Sequence, residues 1–218
     1  MGEGRDGRSY VRSARPVTGA GDLDQLAVTG RHERLVSVIR ERGLIRFDEP
    51  VQLASGEMSR EFVDGKAALS RGEDLELACR ALLELVGDLD FDAVGGLTMG
   101  ADQFAHVVAV LARKEWFVVR KDPKGRGTNR RVEGAKVGSG WRVLLVDDVV
   151  TTGGSIRKAF EAMEQLGAEV AGAATLVDRG ETAARYFAAR SVPYKSVLTY
   201  RDLEIEPVGD GSVDPEAV

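Results

Sequence analysis

The run Val143-Leu-Leu-Val-Asp-Asp-Val-Val-Thr-Thr-Gly-Gly-Ser155 restricts the fold more than any other part of the chain. It passes from an apolar strand into paired acids and then into a hydroxyl- and glycine-rich turn. Beyond the turn, Ile156, Phe160, Met163 and Leu166 recur at helical spacing, and Glu169 to Val177 reads as a second buried strand. The result is a β-loop-α-β unit of about 30 residues, the building block of α/β domains. Its polar residues gather at the carboxyl end of the first strand, which is where open α/β sheets bind ligands.

The atoms of the turn define the ligand class. Consecutive backbone N–H groups that open a helix make a concave donor cluster, and the helix dipole favours an anion there. Gly153 and Gly154 allow tight curvature and close approach, while Thr151, Thr152 and Ser155 add hydroxyl donors. A phosphate monoester fits. Asp147 and Asp148 would repel that phosphate in direct contact, but they suit neutral hydroxyls such as the 2′ and 3′ hydroxyls of a ribose. No lysine follows the glycines, so this is not the nucleoside-triphosphate P-loop. The competing reading, the acidic strand end of a phospho-acceptor receiver, has no need of the Thr-Thr-Gly-Gly-Ser turn. A sugar phosphate is therefore the expected ligand.

On these residues the segment resembles the phosphoribosyl pyrophosphate (PRPP) loop of type I phosphoribosyltransferases. That resemblance implies an α/β fold with a central, mainly parallel sheet flanked by helices and a small N-terminal hood. It does not choose the base, because purine and pyrimidine enzymes share the loop.

Elsewhere the chain reads as punctuated helices and strands. Arg31 to Arg42 is a helix stopped by Gly43, and Glu73 to Val86 is a second, amphipathic one. Phe47 to Asp64 is less regular, with a short strand at Phe62-Val63. Phe91 to Val94 is a strand leading into a glycine-framed loop, Gly95 to Gly100, and a small-residue helix follows from Ala101 to Ala112. Trp116 to Val119 is a strand that ends in Arg120-Lys121. A long polar connection then runs from Asp122 to Gly140. Arg120, Lys121, Lys124, Arg126, Arg130 and Arg131 make its first part strongly basic. Connections of this length in compact domains are often lids. Opposite a PRPP site, a cationic lid can neutralise pyrophosphate and exclude water.

Three further matches make orotate phosphoribosyltransferase the nearest family, over roughly residues 30 to 203. Phe117-Val-Val-Arg-Lys-x-x-Lys-x-x-Gly-Thr128 with Val132-Glu-Gly134 resembles its catalytic loop. Val94 to Asp102 resembles its pyrophosphate-side loop, and Leu176-Val-Asp-Arg179 stands where its base-recognition arginine lies. Ser55-Gly56 with Phe62-Val63-Asp64 resembles its hood. The resemblance implies that Arg120, Lys121 and Lys124 meet pyrophosphate, with Lys124, Arg126, Asp147 and Asp148 as the catalytic set. It also implies that Asp147 and Asp148 hold the ribose and that Val149, Val150, Thr151, Thr152, Gly153, Gly154 and Ser155 hold the 5′-phosphate. Thr151 and Arg179 would touch orotate, whose carboxylate a guanidinium can pair with bidentately.

Magnesium would ride on PRPP and water, with no protein-built metal cage. A homodimer sharing its lid across the interface is also implied. Departures from the pattern are Arg126 in place of a lid histidine, Met99 in place of a lysine, and Glu57-Met58 in the hood. The open alternatives are a purine or other-base phosphoribosyltransferase and a non-catalytic PRPP-binding regulator. The latter would need a DNA-binding element whose apolar periodicity is missing from the N-terminal segment.

Composition removes other classes. A net charge of −5 over 218 residues argues against a general nucleic-acid binder. A single cysteine, Cys79, forms no internal disulfide and falls on an apolar helix face. Two histidines make a zinc site a poor expectation. No apolar run reaches membrane-spanning length and no signal-peptide core opens the chain, so the expected location is the cytoplasm without a membrane partner. The expected organisation is a Gly/Arg-rich tail over 1–25, an N-terminal helix and hood over 26–68, a PRPP-binding core over 69–206, and a C-terminal tail over 207–218.

Overall fold

The structure, a computed structural model, describes residues 28–121 and 131–209. The segment 1–25 and two expected lid residues, Lys124 and Arg126, lie outside the described residues. The chain begins with α1 (Val28–Arg42) and a hairpin of β1 (Leu44–Gln52) and β2 (Met58–Val63), which pair antiparallel in a small sheet of their own. Sequence pattern finds only the end of this hairpin. The reason is that most of it faces solvent: only Ser59 and Val63 of β2 are buried, so no alternating apolar signature was required. Its turn is closed by Leu53 N–H donating to Glu57 O at 2.8 Å, with Gly56 at φ 90°.

A single helical turn, α2 (Gly65–Ala68), leads to α3 (Gly72–Val86). On α3, Leu77, Ala78, Cys79 and Leu82 are fully buried. Burial, with Glu76 adding to it, pushes the Cys79 thiol up to about 12, as befits a core residue. The alternation then runs β3 (Ala93–Leu97), α4 (Asp102–Ala112), β4 (Glu115–Val119), β5 (Val132–Gly134), β6 (Arg142–Val150), α5 (Gly154–Leu166), β7 (Glu169–Asp178), α6 (Thr182–Ala188) and β8 (Tyr194–Thr199).

The main sheet has the order β5-β4-β3-β6-β7-β8. All neighbours are parallel except β5, which returns antiparallel to β4. Successive strand residues point to opposite faces. Thus Leu144 and Val146 join a core with α1, α3 and α4, whereas Val143 and Leu145 join one with α5 and α6. Helices cover both faces, and the loops at the strand carboxyl ends are left to form a site.

Gly95 and Gly96 lie within β3 rather than in the loop that the sequence pattern gives them. Their packing explains it. A Cβ at Gly95 would sit 2.2 Å from Phe117 O, and one at Gly96 would sit 2.2 Å from Val146 O. Bare backbone therefore allows β4 and β6 to close on β3. The polar connection contains the short strand β5, and α6 and β8 complete the sheet beyond the elements found by pattern.

Candidate active site

β6 carries Asp147 and Asp148 at its carboxyl end, where they are 3% and 7% exposed. Both carboxylates are folded back onto the chain. Asp148 N–H donates to Asp147 Oδ1 at 3.0 Å, and Val149 N–H donates to Asp148 Oδ1 at 2.8 Å. From β7, Thr175 Oγ1 donates to Asp147 O at 3.1 Å. Burial and then the charge of Asp148 hold the Asp147 carboxyl well above the usual carboxylate range. The pair is therefore fixed in place at the strand end by local bonds.

Two residues that sequence reasoning missed complete this acid pair. Lys66, on α2, donates from Nζ to Asp148 Oδ2 at 3.1 Å. Burial alone would lower its pKa; Asp148, reinforced by Asp64 and Asp147, outweighs that and raises it. Gly100, after β3, faces both acids: a Cβ there would stand 2.6 Å from Asp147 Oδ1 and 2.6 Å from Asp148 Oδ1. The same loop contains a cis peptide bond between Thr98 and Met99. A basic residue after Asp64-Gly65 was visible in the sequence, but nothing local named a partner 82 positions away.

Past the acids, Val150 is buried, Thr151 and Thr152 are half-buried, and Ser155 is exposed. Gly153 adopts φ 82° and occupies the cap position of α5. A side chain there would be strained by the left-handed backbone and would press on Ala183 Cβ at 3.3 Å. Since glycine has no side chain to occupy the first N–H groups of α5, they remain available to an anion. Arg120 and Lys121 follow β4 on the same edge of the sheet, two strands from β6 and so roughly 10 Å away by strand spacing. Arg120 N–H donates to Arg131 O at 2.8 Å, which draws together the two ends of the segment carrying Lys124 and Arg126.

Arg179 follows β7 and is held to β6 by its own N–H, which donates to Val150 O at 2.8 Å. Its side chain is only 1% exposed. The guanidinium donates to Glu61 O at 2.8 Å, Ser59 Oγ at 3.1 Å and Glu206 O at 3.3 Å, and Glu61 Oε2 lies 4.0 Å away. Its Nε is buried without a partner. Burial lowers its pKa, and Glu61 opposes the shift. Arg179 thus joins the hood to the sheet at the spot where the sequence pattern expects a base contact. Val208, just past residue 206, packs here too: it is 4% exposed and its N–H donates to Arg179 O at 2.7 Å.

The arrangement can hold a phosphate at the α5 N-terminus and hydroxyls at the acid pair. The hood meets the sheet at Arg179. Known proteins with the same pattern were found by three comparisons. A family model for the phosphoribosyl transferase domain matches residues 68–193. The orotate phosphoribosyltransferase of Streptomyces avermitilis is 45% identical over 178 residues, covering 79% of this chain and 96% of that protein. That of Aquifex aeolicus is 40% identical over 177 residues, covering 78% and 96%. Among solved structures, the Mycobacterium tuberculosis orotate phosphoribosyltransferase in complex with PRPP is similar, with TM-score 0.65 and 36% identity over 80% of this chain and 99% of that one.

Proposed function

This chain belongs to the orotate phosphoribosyltransferase family, and from that premise we infer that it transfers the phosphoribosyl group of PRPP to orotate, giving orotidine 5′-monophosphate and pyrophosphate in pyrimidine biosynthesis. The observation that carries this reading is the adjoining carboxyl ends of β6 and β7, which unite paired acids, a glycine-capped helix N-terminus and a guanidinium under the hood. A purine enzyme or a sensor is less well supported, since the curated relatives at 38–45% identity are orotate phosphoribosyltransferases.

In the reaction, a ring nitrogen of orotate attacks the anomeric carbon of ribose while the bond to pyrophosphate breaks. Positive charge grows on the ribose and negative charge on the leaving group, so positioning and electrostatics supply the acceleration. Asp147 and Asp148 accept hydrogen bonds from the ribose hydroxyls. The backbone of Val149, Val150, Gly153 and Gly154, with the hydroxyls of Thr151, Thr152 and Ser155, receives the 5′-phosphate. Arg120, Lys121, Lys124 and Arg126 neutralise pyrophosphate as the lid closes. Arg126 keeps a cation where the family usually has histidine, but it does not release a proton near neutral pH. Thr151 and Arg179 serve the base; the buried, unpartnered Arg179 Nε is a donor that an anionic base could use.

The donor set fits magnesium arriving on PRPP. Carboxylate oxygens line the strand end and suit an ion that brings its own phosphate and water ligands. The ion would be held through substrate oxygens and water, where it would supply positive charge to the leaving pyrophosphate.

A homodimer goes with this reading. Val110 on α4 and Trp116 at the start of β4 stand exposed, at 77% and 40%, and a second copy could cover them. A cytoplasmic location accords with the absence, among the described residues, of any helix long and apolar enough to cross a membrane.

The test is orotate consumption followed spectrophotometrically with PRPP and magnesium, run beside adenine, hypoxanthine and uracil. Orotate turnover alone is expected. PRPP binding without turnover of any base would instead favour a regulator.

A further inference from the structure

We propose that Lys66 is a positioning residue for PRPP, whose ammonium orients Asp148 for the ribose and makes docking of the hood and holding of the ribose a single event. The inference rests on the PRPP reading of the site. Its basis is the geometry of the hood's last turn. Asp64 Oδ1 accepts from Lys66 N–H at 3.1 Å and Ala67 N–H at 3.0 Å, which fixes the backbone that bears the lysine. Asp64 N–H in turn donates to Gly43 O at 2.8 Å, tying the turn to the end of α1. Gly65 packs on Asp148 so closely that an added Cβ would lie 3.1 Å from Asp148 Cβ. From this platform Lys66 Nζ reaches Asp148 Oδ2 at 3.1 Å, while Asp148 Oδ1 is held by Val149 N–H at 2.8 Å.

Each oxygen of Asp148 therefore has an assigned partner, and the carboxylate plane is set before substrate arrives. Without the ammonium, two adjacent buried acids would face each other uncompensated, and Asp148 could rotate away from the ribose. The lysine side chain is half exposed, so its pairing is open to solvent and moderate in strength. Arg179 holds the other end of the hood through Ser59 and Glu61. The two cations thus tie the hood to the sheet at two points, Lys66 at the end of β6 and Arg179 at the end of β7.

The experiment compares wild type, Lys66→Met and Lys66→Arg in orotate kinetics, and by calorimetric titration with PRPP and, separately, inorganic phosphate. Lys66→Met is expected to weaken PRPP roughly fivefold, the upper end for a partly solvated ion pair. Its kcat should fall much less, and its phosphate affinity should match wild type, because the Lys66 ammonium bonds Asp148 and not the first N–H groups of α5. Lys66→Arg should recover most of the PRPP affinity. Unchanged PRPP affinity in Lys66→Met, or equal losses for PRPP and phosphate, would overturn the role. A wild-type chain that binds no PRPP would overturn the functional reading and this inference with it, whereas wild-type binding with an unaffected methionine variant would overturn this inference alone.

Discussion

Gly100→Ala tests the acid pair without touching a charge. A methyl group there would meet Asp147 Oδ1 and Asp148 Oδ1, each at 2.6 Å. Ordinary contact begins near 3.4 Å, so about 0.8 Å of separation has to be found. The acids cannot easily supply it, since both are buried and pinned by Asp148 N–H, Val149 N–H and Lys66. The strain is shared between the loop after β3 and the end of β6, at a cost of about 1–3 kcal/mol in stability. The catalytic effect should be larger in proportion, because a misplacement of about 1 Å can cost on the order of 100-fold in rate. We expect kcat/KM for PRPP to drop by roughly that factor, with the folded state retained in a thermal melt. Gly72→Ala is the matched control: nothing lies within 4 Å of its Cβ position, and its kinetics should equal wild type. Normal turnover in a folded Gly100→Ala protein would refute the view that the two acids must hold their present places.

Three other outcomes follow from the structure and the sequence. Asp178 is 4% exposed and accepts from Tyr194 Oη at 2.9 Å and Gly180 N–H at 3.0 Å, yet burial raises its pKa to about 6 from 3.8. The folded state therefore keeps this proton over a range where the unfolded chain has lost it, so the contribution of Asp178 to stability is greatest below about pH 4 and is lost as pH rises through about 6. The loss is on the order of 3 kcal/mol, and urea titrations from pH 4 to 7 should show wild type losing that much relative to Asp178→Asn; parallel curves would rule it out. Arg179→Met strands the acceptors at Ser59, Glu61 and Glu206 and should cost about 3 kcal/mol, while raising the KM for orotate more than that for PRPP; an unshifted melting temperature would show that the hood is held some other way. Lys124→Ala should lower kcat much more than PRPP affinity, because its charge matters most as pyrophosphate departs, and equal losses would mark it as a simple binding contact.

The β6–α5–β7 unit was legible because its signals are local. Strand, acids, turn and helix follow one another within a few residues, and each conformational demand, such as φ 82° at Gly153, is met by the residue that makes it. The hood was expected from resemblance, but most of its two strands was not legible, since β1 and β2 bury too few side chains to show a period. Glycines misled at β3: the same residues that commonly mark loops were placed there so that Phe117 O and Val146 O could approach. The helix α6 is short, and β8 contributes only one fully buried apolar residue, Leu198, so neither stood out.

What stayed hidden in the site is of a different kind. Asp148 reads as one half of an acidic pair, and Arg179 as a strand-end cation, but their partners lie far along the chain. Lys66 is 82 positions from Asp148, and Glu61 is 118 from Arg179. Pattern reasoning sees periods and turns; it has no access to which two distant residues a fold will bring within hydrogen-bonding distance. Yet these two contacts determine how the hood closes the site. A hood that is mostly exposed and poor in apolar contacts gains little from the hydrophobic effect, so its docking leans on charged hydrogen bonds to buried groups. Such bonds are directional, and they fix orientation where apolar packing would permit sliding. The hood's register over the base is therefore set by Lys66 and Arg179 together. Loss of either cation should loosen the hood at one end, and because Lys66 holds the ribose-binding Asp148 whereas Arg179 stands at the proposed base contact, the two losses should affect different substrates, PRPP for Lys66 and orotate for Arg179.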